Sequence, residues 1–309
     1  MSTTTTTTSP ALNPNPTYHL TSLNPNFGAE IHGLDFANGV TDEDFRIVQD
    51  AVIKYGFIVL RNTKLTDETH LTLARKFGAL DDVTPYNALG RKNRLRYDEL
   101  FDVSNVELDG SVVDPRSPRG EANKGNTLFH VDSSFNPRRA SYSLLLAHEL
   151  PPPGTGGNTA FADTRTAYDA LPPSLKTQLF ENDYIAAHSI MHSRKLAAPE
   201  HFAHVDPWDY PMGRHRIVQR HEPSGRMNLY VAAHVHHLEG LGAADSKEVF
   251  GRVWAHVTQE RFVVEVCWEN VGDCVVWDNT ATMHRAVTVE GGFEGRFRRD
   301  LRRATVHDG

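Results

Sequence analysis

Cysteine is nearly missing. Two residues in 309, Cys267 and Cys274, exclude a disulfide framework and a four-sulfur zinc site. Both fall in a stretch rich in valine and tryptophan, where a thiol behaves as a small buried hydrophobe, and a reducing compartment is expected. Positive charge is not in excess either. A net charge of −7 gives no general attraction for nucleic acid or for an anionic membrane surface. No apolar run approaches the ~18 residues of a membrane span. The amino terminus, Ser2 followed by six threonines, lacks the basic-then-apolar order of a secretory signal. A cytoplasmic location is the expectation. Internal repeats and a clear domain boundary are absent too, so residues 18–309 are expected to form one domain behind a disordered Thr/Pro/Asn-rich tail at 1–17.

What is present reads as many short strands with a few helices. Thr41 is placed as an N-cap and Asp44 as the acid of a capping box. Phe45, Val48, Val52 and Tyr55 then keep helical spacing up to Gly56. Phe57-Ile-Val-Leu60 reads as a buried strand, and a second helix over 66–77 stops at Gly78. This helix–strand–helix run is expected to pack outside the main sheet. Residues 81–125 carry scattered charges and a Pro/Arg/Gly-rich run, which points to an active-site lid or loop. Strands are expected at Ala140–His148 and Asn158–Asp163, with helical structure over 164–180 interrupted at Pro172 and Pro173. The span 184–237 alternates strand-like runs with loops and holds most of the 17 histidines. An amphipathic helix follows at Ala244–Val257, then three β-rich segments between Phe262 and Val306. The fold class is mainly β with flanking helices, a sandwich or jelly roll.

The chemistry centres on Gly125–Phe135, where His130 and Asp132 are separated by one residue. On an extended strand, residues i and i+2 share a face, so an imidazole and a carboxylate can reach one point. Two histidines and one carboxylate make the facial triad of non-haem iron(II) oxygenases. Several histidines could complete it. His284, reached through a polar turn after the Cys274–Trp277 strand, is preferred, and His234 with His236 is the rival pair. His188, His192, His201 and His204 read as surface or packing residues. Near the carboxyl end stand Arg296, Arg298, Arg299, Arg302 and Arg303. They make either a solvated basic face or, on a strand, an inward pair in which Arg299 and Arg303 stand about 13 Å apart by strand rise. Each guanidinium of such a pair can clamp a carboxylate.

Seven spaced segments carry a resemblance: Ala74–Gly78, Asp102–Gly110, His130–Phe135, Gly156-Gly157-x-Thr159, Ala167–Pro172, Trp277-Asp-Asn279 with His284, and Arg302–Thr305. From about Gly33 onward the chain resembles the taurine dioxygenase superfamily of iron(II)/2-oxoglutarate-dependent oxygenases, and within it the 2,4-dichlorophenoxyacetate dioxygenase branch. The resemblance implies a double-stranded β-helix, cupin-like, in which His130, Asp132 and His284 hold Fe(II). Thr159 and Arg299 would bind the far carboxylate of 2-oxoglutarate, and O2 is the other cosubstrate. Arg303, Asn126 and Arg94 match substrate-side positions, and His188 is placed to line the pocket. Departures are Phe129, where many relatives have tryptophan, and a longer segment around Gly291-Gly292. Asn87 and Ser111 stand where the herbicide-degrading branch has lysines.

The implied reaction couples decarboxylation of 2-oxoglutarate to C–H hydroxylation of a small carboxylate such as an aryloxyalkanoate. The same centre also serves desaturation or cyclisation of an amino acid or other natural-product precursor. A reading of another class is a non-catalytic jelly roll that binds metal or an anion, which would need neither open metal positions nor all of His130, Asp132, His284, Thr159 and Arg299. Zinc hydrolysis lacks a general base beside the ligands and leaves the arginine clamp unexplained. The expected partner is a small-molecule carboxylate, with neither nucleic acid nor membrane, and assembly into a homo-oligomer is left open.

Overall fold

Strands buried on both faces dictate the architecture. In Phe57–Leu60 all four side chains are buried, Phe57 and Val59 on one face and Ile58 and Leu60 on the other. The same alternation recurs in Leu144–Ala147 and Cys274–Trp277, which places these strands inside a sheet covered on both sides. The computed structural model describes residues 18–87 and 93–309. The tail at 1–17 and the part of the expected lid at 88–92 lie outside the described residues.

The major sheet has seven strands, in the order His19–Ser22, Ala29–His32, Phe57–Leu60, Cys274–Asp278, Ala140–Glu149, Asp300–His307 and Leu100–Ser104. All neighbours are antiparallel except Ala29–His32 with Phe57–Leu60. Facing it is a minor sheet of Val263–Val266, Thr159–Asp163 and Thr282–Ala286, extended by a bridge between His130 and His284. Between the two lies an inner core of Phe57, Val59, Leu145, Phe161, Val275, Trp277 and Leu301. Two further small sheets complete the strands, Val235–Leu238 with Ile185–His188 and Gly213–Arg216, and Arg226–Leu229 with Val218–His221.

Among the described residues there are seven α-helices: α1 Asp42–Tyr55, α2 Asp67–Phe77, α3 Pro118–Asn123, α4 Thr164–Asp169, α5 Pro173–Asn182, α6 Ile190–Ala197 and α7 Ala243–Val257. α1 begins as its sequence requires: the Thr41 side chain accepts from the Asp44 N–H, and Asp44 accepts the Thr41 N–H at 3.1 Å. α1 and α2 cover the outer face of the major sheet, while α4, α5 and α7 pack with the outer face of the minor one. No helix among the described residues is long and apolar enough to cross a membrane.

Three expectations change. Of the helix–strand–helix run, the two helices lie outside the main sheet but the strand, apolar on both faces, is the third of its seven strands. Residues 81–125 are not all loop: they include α3 and the strand Leu100–Ser104, which pairs with Asp300–Ala304. Ser117 caps α3 and Pro118 opens it, a helix start legible in the sequence. Of the cysteines, Cys274 is buried as expected and Cys267 is exposed.

Candidate active site

The two sheets aim their side chains at a common point. His130 and His284 exchange both backbone hydrogen bonds, each 2.9 Å long, and so lie directly opposite one another on neighbouring strands. Residues paired in this way project to the same face, and the two imidazole rings are 4.2 Å apart. Strand alternation then fixes which face. Met283 points to the outer core, so His284 points inward, beside Phe161 and Trp277.

Asp132 arrives differently from the expectation. His130 holds only a single bridge, and the chain then turns, with Ser133 in the left-handed region at φ 52°. Backbone strain of this kind costs about 1 kcal/mol or more and has to be held by its surroundings. The holding group is Asn279, whose side-chain oxygen accepts the Asp132 N–H at 3.1 Å and the Trp277 indole N–H at 3.0 Å. Asn279 donates to Ser143 at 3.0 Å, and Ser143 donates to Asp132 Oδ2 at 2.8 Å. The result is that ligand-type atoms of His130, Asp132 and His284 all lie within 4.8 Å of one another, the one such group among the described residues.

The protonation states suit a cation. His130 Nδ1 donates to the Leu128 carbonyl at 2.8 Å, which leaves the Nε2 lone pair free. Burial keeps His130 below 6.5 and His284 well below it, so both imidazoles are neutral. Burial alone would raise the Asp132 carboxyl. The Arg303 guanidinium, helped by the Ser143 hydrogen bond, opposes this, and the carboxyl is held below its ordinary range. Two neutral nitrogens and one ionised oxygen fit a divalent iron.

A cavity of about 520 Å³ opens onto this group, lined among the described residues by His130, His284, Thr159, Asn126 and five arginines, Arg94, Arg119, Arg194, Arg299 and Arg303. Arg299 is buried and Arg303 partly so, with Leu301 between them in the inner core, as the shared strand face requires. Arg299 donates from Nε to the Gly157 carbonyl at 3.0 Å. Gly157 has φ +91°, and an added Cβ would lie 3.3 Å from Arg299 and 3.2 Å from Pro151, so the close approach and the backbone both call for glycine. Burial pulls Arg299 down to about 10, which still leaves it charged at neutral pH. Thr159 accepts the Trp268 indole N–H at 3.3 Å, so its own hydroxyl proton is available to a ligand.

The other expected substrate-side residues divide. Asn126 is exposed on the cavity wall. Arg303 reaches the wall but donates to the Asp132 carboxylate. Arg94 is committed to Asp102 and Asp300, with contacts from 2.6 to 3.1 Å. His188 is wholly buried among Ser134, His215 and Tyr230, and is not a lining residue. The rival pair separates as well: His234 contacts Ser193, whereas His236 packs against His192 and Trp208. Sequence reasoning missed Ser143, Trp268 and Arg194. For Arg194 a signal existed, since Ser189 caps α6 by accepting from the His192 N–H.

A jelly roll whose inner wall offers this donor set beside a buried guanidinium is built for an oxygenase that uses a non-haem iron and a keto diacid, and the protein is an iron(II)/2-oxoglutarate-dependent dioxygenase. The family model for taurine catabolism dioxygenase TauD, TfdA family, matches residues 19–305, and the chain belongs to that family. It is similar to the alpha-ketoglutarate-dependent 2,4-dichlorophenoxyacetate dioxygenase of Cupriavidus pinatubonensis, with 35% identity over 286 residues, 93% of this chain and 96% of the relative. Similarity to the (S)-phenoxypropionate/alpha-ketoglutarate-dioxygenase of Sphingobium herbicidovorans is 30% over 279 residues, 88% and 90% of the two chains. The crystal structure of AAD-2 in complex with Mn(II) and N-oxalylglycine matches with a TM-score of 0.85 at 33% identity, covering 95% of this chain and 99% of that one. Fe(II), 2-oxoglutarate and O2 are the cofactor and cosubstrates.

Proposed function

We propose that the enzyme oxidises a small aryloxyalkanoic acid at the carbon next to the ether oxygen, within a single domain spanning 18–309. In this reading His130, Asp132 and His284 hold the iron, and Thr159 and Arg299 take the far carboxylate of 2-oxoglutarate. Iron bound there supplies O2 activation, driven by decarboxylation of 2-oxoglutarate to succinate and CO2. The observation that carries the reading is the pairing of an N,N,O group with Arg299, a buried cation to which no carboxylate is joined among the described residues.

Each residue has a defined task. His130 presents Nε2 because Leu128 holds its other nitrogen, and Ser143 with Asn279 fixes the Asp132 carboxylate. Arg299 and the Thr159 hydroxyl orient a carboxylate by charge and hydrogen bond. Phe101, Leu108, Val83 and Phe293 supply apolar wall for an aromatic body. The cavity-lining residues of 81–125 serve as the lid, excluding water from the reacting carbon. The named substrates of the two phenoxyalkanoate-oxidising relatives support an aryl ether acid. One oxygen atom enters succinate and the other the substrate, giving a hemiacetal that collapses to a phenol and an oxoacid. A reducing cytoplasm suits the unbridged, exposed Cys267.

The test is anaerobic absorption with Fe(II), 2-oxoglutarate and phenoxyacetate. A weak visible charge-transfer band that needs both iron and 2-oxoglutarate, and shifts on adding phenoxyacetate, is expected. Admitting air should then yield phenol, glyoxylate and succinate. Absence of the band from folded, iron-bound protein would reject the assigned cosubstrate site. A product lacking two hydrogens would replace hydroxylation by desaturation.

A further inference from the structure

The chemistry proposed above brings two acids into one cavity, so the wall needs two cations that the protein has not already neutralised. Of the five arginines among the described lining residues, three have carboxylate partners. Arg94 joins Asp102 and Asp300, Arg119 joins Asp102 and Glu107, and Arg303 joins Asp132. Arg299 is one of the two left over, and it is assigned to 2-oxoglutarate. The other is Arg194.

Arg194 lies on α6, which packs against the 124–127 turn carrying Asn126. Among the described residues its guanidinium has one polar neighbour, the thioether of Met191 at 3.9 Å. A thioether is a weak acceptor and leaves the charge uncompensated. Burial holds the guanidinium below its ordinary value with no carboxylate opposing the effect. The lining carboxylates do not change this balance, since Asp102 and Glu107 are taken and Glu294 is exposed. A half-buried, unneutralised cation on a cavity wall is costly to the fold alone and favourable once an anion arrives.

Resting on the two-acid reading, we propose that Arg194 is the residue that binds the carboxylate of the primary substrate. Arg303 and Arg94 then hold the protein's own carboxylates. Arg194 thereby selects acids over their neutral analogues, with the aryl body against the apolar wall.

The experiment measures binding by calorimetry to protein loaded with Mn(II) and N-oxalylglycine, the amide isostere of 2-oxoglutarate. The probes are phenoxyacetate and the neutral phenoxyacetamide, and the proteins are wild type, Arg194→Gln and Arg194→Lys. Arg194→Gln should weaken phenoxyacetate about ten- to a hundredfold, the range of a charge-assisted hydrogen bond. Phenoxyacetamide and N-oxalylglycine should change less than about twofold on that scale. Arg194→Lys, which keeps the charge and guards against misfolding, should recover part of the loss. Unchanged phenoxyacetate affinity in Arg194→Gln would overturn the assignment, as would a loss confined to N-oxalylglycine. Failure of the wild type to bind N-oxalylglycine would instead overturn the cosubstrate site beneath it, and failure to bind phenoxyacetate alone would overturn the substrate class.

Discussion

Arg303 donates to Asp132 Oδ1, the oxygen that also lies 3.7 Å from His284 Nε2. A guanidinium and a divalent cation therefore compete for the same lone pairs. Arg303→Gln removes one competitor, and a unit charge a few ångströms away at an effective dielectric near 20 is worth a few kcal/mol. Mn(II) titrated into the metal-free variant should bind about a hundredfold tighter than to wild type. Equal affinity would mean that Arg303 swings clear without cost. At this scale the sequence was legible wherever one residue type performs one task. His130, Asp132 and His284 converge and Thr159 and Arg299 line the same cavity, and each is proposed to act through its own side chain. Ser143, Asn279 and Arg194 depend on their neighbours. Ser143 stands out because a strand brings it under Asp132, and Arg194 because no carboxylate among the described residues neutralises it.

Helices and turns announced themselves through local rules. Thr41, Thr66, Ser117 and Ser189 all accept from the backbone three residues on, and the first helix was read to its caps. Strands announced themselves most plainly where both faces are apolar. Leu100–Ser104 was hidden because its pattern is broken by Asp102, which the fold needs for Arg94 and Arg119. Arg94 ties that edge strand to Asp300 on the neighbouring strand, which follows directly from Arg299. Arg94→Ala would remove the cation shared by two nearly buried carboxylates, leaving Asp102 to Arg119 and Asp300 to Arg302, and should lower the unfolding free energy by about 2 kcal/mol. Urea titration measures this, and the 2-oxoglutarate requirement should rise as the Arg299 strand loosens. A stability equal to wild type with only phenoxyacetate affinity lost would return Arg94 to the role of substrate ligand.

Over the whole molecule, several of the 17 histidines are buried as neutral imidazoles. His70 and His192 are each pulled down from 6.5 to about 4, mainly by burial, and His188 and His234 lie well below 6.5. Below pH 6.5 the unfolded chain takes up protons that these sites refuse, so stability is full above that pH and falls as pH drops toward 4. For His70 alone the shift corresponds to roughly 3 kcal/mol. Urea midpoints should therefore decline from pH 7 to pH 5, and His70→Gln, which can still donate to the Leu144 carbonyl, should flatten the decline. A slope equal to wild type in that variant would remove His70 from the account. The paired backbones of His130 and His284 carry a consequence for kinetics. They belong to segments about half the chain apart, and neither imidazole meets the other until the minor sheet has closed. A divalent ion that needs both imidazoles is therefore expected to act after that closure, as a latch: adding Mn(II) should slow unfolding and leave the refolding rate unchanged.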